Sequence, residues 1–132
     1  MTAQELKRNL GCFTGSLNWF RHWTKSLIYS EGVNYLAEKA EAHWLIDAIA
    51  SYVNSPEWQR AIKKNEDLLY MSFWYITVKD NEAVLEWKLD SDEPAIITQK
   101  WEYSDFPLEA QIIYMGCDGP DTEIKIYLPS EY

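Results

Sequence analysis

His22, His43 and Asp47 are the residues whose types most directly suggest chemistry. Imidazole exchanges protons near neutral pH, and His43 and Asp47 stand at i and i+4, which places them on one face of a helix. His22, from an earlier segment, could approach them in space and complete an acid–base cluster. A small enzyme or ligand-binding protein is therefore one reading. The same pair serves equally well as a structural polar contact. No Ser or Cys stands at a nucleophile elbow, and no HExxH accompanies the histidines. Beyond these three candidates no catalytic residue is assigned.

The other reactive types are poorly placed for chemistry. Cys12 and Cys117 form neither a CxxC nor a CxxH pair, so free thiols are expected and structural zinc is not. Cys12 follows an expected helix end instead of opening a helix, where a thiolate would be stabilised. The glycines match no nucleotide-binding pattern. Asp90 and Asp92 lack the Gly and the distal Glu of a calcium loop. No metal and no cofactor is expected.

Composition narrows the partners. The chain has 132 residues, enough for one domain over 1–132, and carries 21 acidic against 12 basic residues for a net charge of −9. That balance opposes direct binding to nucleic-acid phosphates or anionic lipid surfaces. The first residues lack the apolar run of a signal peptide, and no later stretch is long and apolar enough to span a membrane. A cytoplasmic protein is expected. Seven Trp is a high number for this length, and since each indole N–H needs a partner, some should lie at a rim or interface.

The elements that would position these residues change character near residue 67. Thr2 and Glu5 fit a capping box opening a helix that ends near Gly11. Leu17, Phe20, Trp23 and Leu27 recur at helical spacing over Ser16 to Ile28. Ser30 caps a long helix from about Glu31 to Val53, and Ser55-Pro56 opens another ending at Lys63-Lys64. Strands follow at about Leu68 to Val78, Ala83 to Leu89, Ala95 to Tyr103, Gln111 to Gly116 and Glu123 to Leu128. Their connections, including Lys79-Asp80-Asn81-Glu82 and the turn Asp118-Gly119-Pro120-Asp121, are of hairpin length. The fold class read from this pattern is α+β, with N-terminal helices packed on one face of a C-terminal antiparallel meander of about four or five strands.

The first of those strands is apolar on both sides, with Leu69, Met71, Phe73 and Tyr75 alternating against Tyr70, Trp74, Ile76 and Val78. One set must face away from the helices, so a binding or dimer surface is expected there unless another segment covers it. Tyr70 and Trp74, with Glu86, Glu102 and Asp105 as neighbouring carboxylates, are the candidate binding residues.

Several strings occur together in order: Phe13-Thr14-Gly15-Ser16, Tyr29-Ser30-Glu31-Gly32-Val33 with Tyr35-Leu36-Ala37-Glu38-Lys39-Ala40, Asp105-Phe106-Pro107-Leu108 and Leu128-Pro129-Ser130-Glu131-Tyr132. From about Leu10 onward the chain resembles a family of small uncharacterised bacterial proteins, found also on plasmids and phages and classed as a domain of unknown function. The resemblance implies no activity, cofactor or catalytic residue. Its mobile-element setting implies an inhibitor or regulator that binds a protein. The residues thus support a noncatalytic protein-binding module with an aromatic and acidic surface. The alternatives are the His22, His43 and Asp47 enzyme and a homodimeric structural protein.

Overall fold

The computed structural model describes residues 1–119 and 122–132. Five helices are found among them: α1 (Ala3–Leu10), α2 (Glu31–Lys39), α3 (His43–Tyr52), α4 (Pro56–Lys64) and the single turn α5 (Asp67–Tyr70). Seven strands form one sheet: β1 (Trp19–Arg21), β2 (Ile28–Ser30), β3 (Ser72–Lys79), β4 (Glu82–Lys88), β5 (Ile97–Trp101), β6 (Ala110–Gly116) and β7 (Lys125–Tyr127). The spatial order is β1-β2-β7-β6-β3-β4-β5, antiparallel except between β2 and β7.

The chain is α+β as expected, but the expected sheet was too small and too simple. β3, β4 and β5 form a meander, whereas β6 returns to the other side of β3 and β7 carries the sheet on to an N-terminal hairpin. That hairpin, β1 and β2, occupies the segment expected to be helical. Leu17, Phe20 and Trp23 are exposed and only Leu27 of the supposed stripe is buried. The turn from His22 to Leu27 closes through His22 N–H to Leu27 O at 3.0 Å, with Lys25 in the left-handed region at φ 65°.

The helix expected from Glu31 to Val53 is two helices. Glu41 adopts φ 52° between them, which breaks the i→i−4 ladder and lets α3 turn away from α2. The expected caps are present: Thr2 for α1, Ser30 for α2 and Ser55 for α4 each accept a backbone N–H. At the β3–β4 turn, Asp80 and Asn81 both have positive φ, the two-residue geometry that matches strand twist. Of the turn expected at Asp118–Asp121, Pro120 and Asp121 lie outside the described residues.

The core lies between one face of the sheet and the helices. Trp74 and Trp87, opposite one another on β3 and β4, are fully buried and stack at 5.8 Å. Tyr52 of α3 stacks on Trp74 and Trp58 of α4 stacks on Trp87, so four aromatic rings join two helices to two strands. The indole of Trp74 donates to Met115 Sδ at 3.3 Å and that of Trp87 to Ser72 Oγ at 2.9 Å, which satisfies two buried donors. Among the described residues the Trp58 Nε1–H has no partner.

Candidate functional site

The β1–β2 hairpin brings two of the three acid–base candidates together. His22 Nε2 lies 2.6 Å from Asp47 Oδ1 on α3. The Thr24 N–H donates to His22 Nδ1 at 3.2 Å, so the network assigns the imidazole proton to Nε2, which donates to Asp47. The Trp23 ring lies tilted beside His22, and its indole N–H donates to the same Asp47 oxygen at 3.3 Å. His43 opens α3, is exposed, and among the described residues makes no side-chain hydrogen bond.

This geometry leaves the imidazole little to do chemically. His22 is 4% exposed and both ring nitrogens are engaged, so no lone pair or proton is free for a substrate. The clefts of about 470 and 410 Å³ on this molecule are lined by other residues. The contact pins the β1–β2 turn onto α3, aided by Ser26 Oγ donating to Ala50 O at 3.3 Å.

The candidate binding residues are dispersed. Trp74 lies in the core, not on an open face. Tyr70 is in α5, not in a strand; it is exposed at the start of β3, its carbonyl so close to Gly116 that no Cβ would fit there. Glu102 and Asp105 are exposed in the β5–β6 connection, past the opposite end of β3. At roughly 3.3 Å per residue, β3 separates Tyr70 from these carboxylates by about 25 Å. Asp105 instead borders a notch with Trp44, Trp101 and Tyr103. Glu86 alone lies on the sheet face turned away from the helices, since its neighbours Leu85 and Trp87 point into the core.

That open face carries a different set of aromatic side chains. Phe73 and Tyr75 of β3 pair with Tyr114 and Ile112 of β6, and Tyr114 pairs with Tyr127 of β7. All are half-buried, the condition of side chains lying on an uncovered sheet. Tyr132 lies on the same face, 5.9 Å from the Tyr114 ring and 6.4 Å from the Tyr127 ring. A shallow depression of about 290 Å³ opens beside Tyr75, Gln111, Ile112 and Pro129. Burial raises the Tyr127 phenol pKa above its ordinary 10.0, with Tyr132, Tyr114 and Asp118 adding to the effect. The stripe was missed because both sets of β3 residues are apolar, so apolarity alone does not say which set is open.

Three of the sequence strings, at Ser16, at Ser30 to Gly32 and at Leu128 to Glu131, meet at a separate place. Glu131 Oε1 accepts from Ser30 Oγ at 2.5 Å and Leu128 N–H at 3.0 Å; Oε2 accepts from Ser16 Oγ at 2.8 Å and Gly32 N–H at 3.2 Å. Ser16 Oγ also accepts the Glu31 N–H at 2.9 Å. One carboxylate thus clasps the α2 N-terminus, the loop before β1 and the segment after β7. Gly32 allows it: a Cβ there would lie 2.5 Å from Glu131 Oε1 and 2.7 Å from Leu128 Cδ1.

Fold and surface together define an α+β protein whose mixed sheet is covered by helices on one face and bears aromatic residues on the other. The chain belongs to DUF6876, a family of unknown function whose model matches residues 4–132. No curated protein and no solved structure matches the chain. Among the described residues no helix is long and apolar enough to cross a membrane.

Proposed function

We propose that this chain is a noncatalytic protein-binding module, an inhibitor or regulator belonging to bacterial mobile elements and working in the cytoplasm. The observation that carries the reading is the stripe of Phe73, Tyr75, Tyr114, Tyr127 and Tyr132 on the open face of the sheet. Tyr side chains supply rigid amphipathic contact area at small entropic cost, which suits recognition of another protein. The net charge of −9 favours a partner with a basic surface and disfavours nucleic acid. Resemblance to plasmid and phage proteins supports the setting.

The partner lays an apolar patch across the stripe and inserts a side chain beside Tyr75 and Ile112, where the sheet dips. Glu86 contributes charge on the same face; Glu102 and Asp105 lie too far along the sheet to join that contact. The test is affinity capture from the native host with identification by mass spectrometry, comparing the unmodified chain with Tyr75→Lys and Tyr114→Ser. A specific protein should be retained by the unmodified chain and lost by at least about tenfold in both variants. Equal retention by variants that melt like the parent would remove the stripe from the interface.

A further inference from the structure

The sheet has two edges, β1 and β5, and they differ in how they meet solvent. β5 alternates Thr98 and Lys100 with its buried side and is preceded by Pro94, devices that discourage a further strand. β1 is exposed at all three residues, Trp19, Phe20 and Arg21, and is flanked by Leu17 at 96% and Trp23 at 77% exposure. An edge lined with large apolar side chains is a template for pairing.

Register fixes which backbone groups are free. Ile28 donates its N–H to Ile124 O at 2.9 Å, toward β7, and His22 donates to Leu27 O at 3.0 Å within the hairpin. Antiparallel pairs alternate between bonded and non-bonded, so Phe20 exchanges bonds with Tyr29 while Arg21 and Trp19 do not bond their partners Ile28 and Ser30. The N–H and C=O groups of Trp19 and Arg21 therefore point outward, away from the sheet.

We infer that β1 is a homodimer edge, pairing antiparallel with β1 of a second copy about a two-fold axis at Phe20. In that register Trp19 faces the second copy's Arg21 as a hydrogen-bonded pair, twice by symmetry, giving about four backbone bonds. The arrangement is self-complementary in charge as well. Opposite residues share a face, so each guanidinium reaches the other copy's Trp19 ring, and this ring already accepts a cation, Lys125 Nζ, at 5.4 Å. Arg21 keeps Glu123 beside it from its own chain. Phe20 meets Phe20 across the axis. A strand from an unrelated protein would match the backbone but not this reciprocal pairing of Trp with Arg. The inference is independent of the aromatic stripe, which lies on the open face and not along this edge.

The register makes the test specific. With Cys12 and Cys117 replaced by Ser, a Phe20→Cys variant should form a disulfide-linked dimer on mild oxidation, because the two positions lie opposite at a Cα separation of about 4.5 Å. Trp19→Cys alone should link poorly, whereas a mixture of Trp19→Cys with Arg21→Cys should link. Arg21→Pro removes an outward N–H and leaves the bonds to β2 intact, so it should abolish association while retaining the monomer's circular dichroism. Sedimentation of the unmodified chain tests the idea without any substitution and should show a dimer that grows with concentration. A chain monomeric up to about 1 mM, or Phe20→Cys linking no faster than Trp23→Cys, would overturn it.

Discussion

At the scale of single residues, Glu131 holds more of the molecule together than any side chain picked out for chemistry. Its four hydrogen bonds join groups far apart in sequence: Ser16, Ser30, Gly32 and Leu128. Ser30 is itself the α2 cap, since its Oγ accepts the Val33 N–H at 3.1 Å, so the carboxylate fixes the hydroxyl that starts the helix. Charge-assisted bonds at half-buried positions contribute more than neutral ones, and loss of one partner leaves the rest unsatisfied. Glu131→Ala should therefore lower stability by about 2 kcal/mol or more, read as a lower urea midpoint at unchanged slope. A loss below about 0.5 kcal/mol would mean that solvent replaces the carboxylate freely. Trp74 makes the complementary point: its substitution would report on core packing, because it is buried between Tyr52 and Trp87.

At the scale of elements, Glu41 marks where helical periodicity and backbone conformation part company. Apolar spacing continues from Leu36 and Ala40 through Trp44 to Ala48, which reads as one helix, yet Glu41 at φ 52° ends α2. A non-glycine residue in the left-handed region costs about 1–2 kcal/mol, part of which glycine recovers against its greater chain entropy. Glu41→Gly should raise stability by up to about 1 kcal/mol, visible as a higher melting temperature, and Glu41→Val should lower it. The caps and the β3–β4 turn were legible because each depends on a few neighbouring residues: Thr2 with Glu5, Ser55 with Pro56, Asp80 with Asn81. The N-terminal hairpin was not, because β2 is held in the sheet by β7, about a hundred residues later, and β1, among the described residues, pairs only with β2. Register was not legible from turn length alone: Lys79-Asp80-Asn81-Glu82 reads only as a hairpin-length connection, and it is the two-residue turn at Asp80-Asn81 that pairs Lys79 with Glu82 and sets Trp74 opposite Trp87. Of the candidate site, the meeting of His22 with Asp47 was legible in residue type, but the burial of the His22 ring beside an exposed Asp47 was set by tertiary packing.

At the scale of the whole molecule, tyrosines spread across the fold link its stability to alkaline pH. The phenols of Tyr29 on β2, Tyr52 on α3 and Tyr127 on β7 all have pKa values raised above the ordinary 10.0, chiefly by burial. Neighbouring acids add to this, Asp47 and Glu38 at Tyr29 and Glu57 at Tyr52. A folded-state pKa above the unfolded value means that the neutral form is favoured in the fold. The contribution is therefore complete below the unfolded value and is lost as pH rises through the folded ones. Stability should hold up to about pH 9 and then decline, with phenolate absorbance appearing later in the folded chain than in the denatured chain. General repulsion grows over the same range, since the chain starts at −9 and gains charge with each phenolate. Tyr127→Phe separates the two effects. It leaves the background charge of the carboxylates in place but removes one linked ionisation, at a ring whose hydroxyl otherwise meets Met71 Sδ at 3.7 Å. The decline above pH 10 should be shallower in Tyr127→Phe than in the parent. An identical slope would mean that the Tyr127 ionisation contributes nothing to the alkaline transition, leaving it to Tyr29, Tyr52 and overall charge.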